Sequence, residues 1–213
     1  MRPYETNPSA IYAASFATVA AEARLERFAP ALHPLITRLI HSCGMVEIAD
    51  RLAFSSNVAL ASHHAMQSGA PILCDCEMVS AGIIRRYLPA NNQVIVTLND
   101  PRTPDHAAKI KNTRSAAAVE FWGPHIEGAI VAIGNAPTAL FHLLELIDQG
   151  FPKPAVILAF PVGFVGAAES KAELVANPRD IDFVALRGRK GGSAMASAAV
   201  NALAAGLPEI KER

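Results

Sequence analysis

His41 closes a helical run, RLIHSCG, beside Ser42, Cys43 and Gly44. An imidazole exchanges a proton near neutral pH without special tuning, so His41 is a candidate general acid. At a helix C-terminus capping the last carbonyls is the more usual role for a histidine, and the residues alone favour it over catalysis. His33, His63, His64, His106, His125 and His142 compete with it. The His63-His64 pair lacks partners at ligand spacing, and His142 lies among leucines, which suits a core or interface position.

Charged and hydroxyl groups gather after three apolar runs near the C-terminus. Gly134-Asn135-Ala136-Pro137-Thr138 follows AIVAI, and Pro137 suits a first helical turn. Asn135 there is either a cap or a ligand-facing amide, with the Thr138 hydroxyl nearby. Glu169, Ser170 and Lys171 follow PVGFVGAA, and they read either as a ligand-facing trio or as a solvated helix start. Arg187-Gly188-Arg189-Lys190-Gly191-Gly192-Ser193 precedes an alanine-rich helix and combines cations with glycines. Such a composition binds carboxylate or phosphate, and Arg189, Lys190 and Ser193 are its candidate contacts. Arg114, at the start of TRSAAAVE, is a further guanidinium able to grip a carboxylate with two parallel bonds.

Several chemistries lack their signatures. No GxxxxGK[ST] loop occurs, and no GxGxxG precedes a helix, so nucleotide binding loses its usual support. No GxSxG elbow is present, which argues against covalent hydrolysis. Cys74-Asp75-Cys76 is not a zinc-pair spacing, and Cys43 supplies no second pair, so no metal site is expected. Three cysteines and a start without an apolar signal core predict free thiols in the cytoplasm. Nineteen basic residues balance nineteen acidic ones, which predicts no nucleic-acid partner. The longest apolar tract, residues 129–147, is broken by Asn135, Pro137, His142 and Glu145, which rules out a membrane span there.

The elements that must position these groups alternate. Helices are predicted over Ile11–Phe28, Leu32–His41, Asn57–Gln67, 77–88 and Thr113–Trp122, the last capped by Asn112 or Thr113. Strands are predicted at Ile72–Asp75, Val94–Leu98 and the apolar runs AIVAI, AVILAF and IDFVAL. Residues 99–112 are polar and proline-containing, hence a loop or lid. The pattern predicts an α/β fold, with one mainly parallel five-stranded sheet flanked by helices on both faces. No linker divides residues 1–213, so one domain is expected. Three strand–turn–helix units side by side would direct helix N-termini at one mouth, which suits an anionic ligand. A mean hydropathy of +0.24 predicts apolar surface available for a subunit interface, most simply in a dimer.

Six motifs in order give a sharper reading. HSCG at 41–44, GAPILCDCEMV at 69–79, NTRSAAA at 112–118, AIGNAPTALF at 132–141, PVGFVGAAESK at 161–171 and GRKGGSAMA at 188–196 closely resemble the precorrin-8X methylmutase family of cobalamin biosynthesis. The resemblance covers nearly the whole chain. Its departures are Ala159, where a glycine is common before the PVGFV turn, and Cys76, at a variable position. It implies an isomerase that moves a methyl group from C-11 to C-12 of the corrin-type ring, giving hydrogenobyrinic acid without a dissociable cofactor. It implies a homodimer with the site near the subunit interface. The family's histidine matches His41, a substrate-contacting serine matches Ser15, and the arginine of NTRSAAA matches Arg114. Tight product binding and handover to the next enzyme follow as expectations. A corrinoid carrier without catalysis is the alternative, and it would have no need of an acid at His41.

Overall fold

A computed structural model describes residues 4–205. Its sheet has six strands: β1 (Leu52–Phe54), β2 (Ile72–Cys74), β3 (Val94–Val96), β4 (Ile130–Ile133), β5 (Val156–Ala159) and β6 (Asp182–Leu186). They lie in the order β1-β6-β5-β4-β2-β3. Five are parallel, in register through Ile72↔Ile130, Ile130↔Val156 and Val156↔Asp182. The sixth corrects the predicted count: β1 pairs antiparallel with β6 at one edge. Its Leu-Ala-Phe run has no β-branched residue, unlike the equally short β2 and β3, so it does not read as a strand.

Strands β2, β4 and β5 are buried along their whole length. Alternate side chains therefore feed two cores. On one face Cys74, Ala132, Leu158 and Val184 pack among helices α2 (His33–Cys43), α3 (Val58–Gln67) and α9 (Ser193–Ala205). On the other Val131, Ile157 and Phe183 pack against α6 (Arg114–Glu120), α7 (Pro137–Asp148) and α8 (Ala167–Ala176). Ala159 belongs to this second core and is fully buried, on the face opposite α2 and α9.

Helix α1 (Pro8–Glu22) starts at Asn7, whose Oδ1 accepts from Ser9 N–H at 3.0 Å. It ends six residues before the predicted Phe28 boundary, in a 3-10 turn over Leu25–Arg27. Helix α2 ends in a left-handed Gly44 (φ 69°), whose N–H bonds Ile40 C=O, so the chain turns sharply just after His41. Helix α4 (Glu77–Gly82) is shorter than the predicted helix over 77–88 and gives way to a 3-10 turn at Arg85–Tyr87.

Residues 99–112 hold a helix, not a loop or lid. Helix α5 (Thr103–Ile110) has Pro104 in its first turn, where a proline is tolerated. It packs on α6, and His106 reaches the Glu120 carboxylate there. Thr113 is the α6 cap and accepts from Ala116 N–H at 3.1 Å. No described helix is long and apolar enough to cross a membrane.

Candidate active site

Two adjoining hollows share His41. The larger, about 400 Å³, is lined by Arg38, His41 and Ser42 from α2, Met78 and Gly82 from α4, and Ser193, Ser197 and Asn201 from α9. The smaller, about 270 Å³, is lined by Ser15, Thr18 and Glu22 of α1 with His41 and Gly44. The imidazole stands between them on the last turn of α2.

Three α1 side chains set its orientation. The Ser15 hydroxyl and His41 Nδ1 lie 2.8 Å apart. Tyr12 and Phe16 flank the ring at centroid distances of 5.5 Å and 5.4 Å, the latter edge-on. With Nδ1 engaged by Ser15, Nε2 is the ring nitrogen left for a ligand. Residues 12, 15 and 16 share one helical face, which is why one helix can hold a single imidazole from three sides.

Arg38 lies one turn before His41 and escaped the sequence reading. Its residue is 8% exposed, and Nε and Nη2 are shielded without a hydrogen-bond partner among the described residues. The guanidinium sits over the Tyr87 ring at 5.5 Å. A buried guanidinium with unpaired N–H groups is costly unless an anion meets it. The i, i+3 spacing to His41 was the available signal, since it places both on one face. Beside it, α9 starts at Ser193 and Ala194, whose amides have no acceptor within the helix. An unpaired cation and a helix N-terminus therefore face one apolar-walled hollow.

The turn between β4 and α7 is used differently. Asp75, buried at 3% exposure, fills it: Oδ1 accepts from Gly134 N–H at 2.9 Å, and Oδ2 accepts from Asn135 and Ala136 N–H at 2.9 and 2.8 Å. Burial pushes the Asp75 pKa up, and the three amides pull against it. The expected mouth of three open turns is thus partly closed by the chain's own carboxylate. The two turns touch, because a Cβ on Gly134 would fall 2.7 Å from Ser193 Cα.

Of the residues singled out in sequence, His41, Ser15 and Ser193 line these hollows. Ser193 Oγ also lies 3.4 Å from Cys76 Sγ. Arg114 donates to Leu98 C=O and Asn99 Oδ1, both at 3.2 Å, and so braces the segment after β3. The Thr138 and Thr113 hydroxyls bond each other at 2.8 Å across the starts of α7 and α6. The Asn135 side chain and Glu169 are exposed. Ser170 is buried with its hydroxyl on Ala167 C=O, and Lys171 is buried with its amine on backbone carbonyls. Arg189 stacks on Phe164 at 5.4 Å, and Lys190 Nζ pairs with Glu47 at 2.7 Å. None of these lines either hollow.

Fold and site together define an α/β protein that presents one oriented histidine to an apolar-walled, anion-seeking hollow. A family profile described as precorrin-8X methylmutase (CbiC) matches residues 10–205. The chain belongs to the precorrin-8X methylmutase family. It is 55% identical to a precorrin-8X methylmutase of Pseudomonas aeruginosa over 204 residues, covering 96% of this chain and 98% of that one. It is 37% identical to a cobalt-precorrin-8 methylmutase of Salmonella typhimurium over 209 residues, covering 94% and 96% of the two. A crystal structure of the Thermus thermophilus precorrin-8x methyl mutase superposes with a TM-score of 0.81 at 37% identity, covering 91% of this chain and 95% of that one.

Proposed function

We propose that the chain is an isomerase of cobalamin biosynthesis that moves the methyl group of precorrin-8X from C-11 to C-12, with His41 as the acid. The carrying observation is the His41 ring, oriented by Ser15 at 2.8 Å, on the wall of a hollow that also holds the unpaired Arg38.

The substrate is an apolar macrocycle fringed by carboxylates. Met78, Tyr12 and the alanines of α9 offer it apolar contact, while Arg38 and the α9 N-terminus hold a carboxylate. As the acid His41 is the imidazolium: its Nδ1–H donates to the Ser15 hydroxyl oxygen, which leaves Nε2–H directed at a ring nitrogen. A proton or hydrogen bond there draws π density away from C-11. The C-11–methyl bond breaks as the C-12–methyl bond forms, a [1,5]-sigmatropic shift in which the electron pair stays within the ring system. The proton returns to Nε2, so atoms and charge balance. One positioned acid is worth about 10²–10⁴ in rate.

The higher identity to the relative named for precorrin-8X, 55% against 37% to the one named for cobalt-precorrin-8, supports the metal-free ring as substrate. The protein works as a cytoplasmic homodimer with its mouth near the interface. The exposed apolar side chains Phe164 and Val165 support a partner surface. Product leaves slowly and passes directly to the next enzyme, as a pocket shaped to the rearranged ring would have it.

The test is an absorbance scan of precorrin-8X mixed with wild type or His41→Ala. Wild type produces the hydrogenobyrinic acid chromophore, and the variant is slower by about 10²–10⁴. Equal rates would remove His41 from the chemistry. Binding without conversion by either protein would make the chain a carrier.

A further inference from the structure

Lys171 is 0% exposed, on the first turns of α8. Its Nζ donates to Pro161 C=O at 2.9 Å and to Lys190 C=O at 2.6 Å. Burial moves its pKa down to about 8. A methionine would fill the same space without that penalty. What the amine adds is a pair of bonds to two separate loops.

Those loops are residues 160–166, between β5 and α8, and residues 187–192, between β6 and α9. They are joined at two further points. Gly192 N–H bonds Phe160 C=O at 2.8 Å, and Gly163 N–H bonds Arg189 C=O at 3.2 Å. Gly191 passes so close that a Cβ would fall 2.3 Å from Phe160 O and 2.6 Å from Pro161 O. The second loop runs directly into Ser193 and Ala194, on the wall of the His41 hollow. On its far side Lys190 pairs with Glu47, just beyond the Gly44 turn that follows His41. The 187–192 loop is thus held from below by Lys171 and from the side by the segment following His41.

We propose that Lys171 is a positioning residue whose buried amine locks these two loops together and so fixes the α9 N-terminus against His41 and Arg38. It touches no ligand and acts through the backbone it holds. The proposal rests on the isomerase reading for its catalytic consequence, but the lock itself is read without substrate.

The experiment compares wild type with Lys171→Met. Amide hydrogen exchange at Gly163 and Gly192 is followed first, on the free proteins, and is expected to quicken about tenfold or more in the variant. Steady-state conversion of precorrin-8X follows. KM is expected to rise about tenfold to a hundredfold, with the smaller effect on kcat, because a displaced helix start weakens substrate holding. Loss of stability alone would lower the active fraction and leave KM unchanged. Unchanged exchange, or an unchanged KM, overturns the proposal. Should Lys171→Met fail to fold, Gly191→Ala pushes the same loops apart with Lys171 intact. It is expected to raise KM in the same way, and an unchanged KM overturns the proposal there too. A wild type that does not convert precorrin-8X would sink the isomerase reading, while the exchange data would still decide the lock.

Discussion

The β4–α7 and β6–α9 turns carry similar punctuation, a glycine-led segment before an apolar helix, and the molecule uses them in opposite ways. In the first, three backbone amides converge on Asp75, a carboxylate supplied by the neighbouring strand. In the second, the first residues of α9 line a hollow with Arg38, whose Nε and Nη2 have no hydrogen-bond partner among the described residues. The first is an anion site already filled by the chain. The second is the one we propose takes a ligand's anion. A glycine turn ahead of a helix therefore signals anion affinity without saying whose anion it is. What decides is whether a buried carboxylate follows an adjacent strand, as Asp75 follows β2.

Removing Asp75 is the harshest way to break this comparison. Asp75→Ala leaves one buried and two part-buried amides without an acceptor and is expected to lower unfolding free energy by about 3 kcal/mol, measured by urea denaturation. Unchanged stability with lost product binding would mean that the first turn also serves the ligand.

A smaller effect is expected away from both turns. Burial raises the Glu120 pKa, but bonds from His142 at 2.9 Å and from His106 outweigh it, so the net shift is downward. A lowered carboxylate pKa contributes stability above the unfolded value of about 4.3 and loses it as pH falls through the folded one. Glu120→Gln should cost under about 1 kcal/mol at pH 7 and flatten the acid limb of a stability–pH curve. Conversion of precorrin-8X should be unchanged, since Glu120 lies on α6, across the sheet from His41. A fall in conversion would extend the site to that face.

Most of the fold was legible because β-branched runs such as Val156–Ala159 are buried on both faces and announce parallel strands. Strand β1 was missed because Leu-Ala-Phe has no β-branched residue, unlike the equally short β2 and β3, and α5 because Pro101 and Pro104 read as breaks although Pro104 sits where a helix accepts one. His41 was legible from its chemistry, and Ser15 only through the family resemblance. Arg38 was hidden because an arginine on an amphipathic helix ordinarily points to water, and only burial shows that this one does not. Lys171 was singled out in sequence as a ligand contact, yet it lies beneath the loops, because proximity along the chain does not report depth.

The most direct test of the open turn is a titration of hydrogenobyrinic acid into wild type and Arg38→Met, followed by absorbance alongside urea unfolding. Loss of a charge-assisted contact predicts a Kd raised about 10- to 100-fold, with stability unchanged or improved because an unpaired buried cation has gone. An unchanged Kd with reduced stability would contradict the account and make Arg38 a structural residue like Asp75.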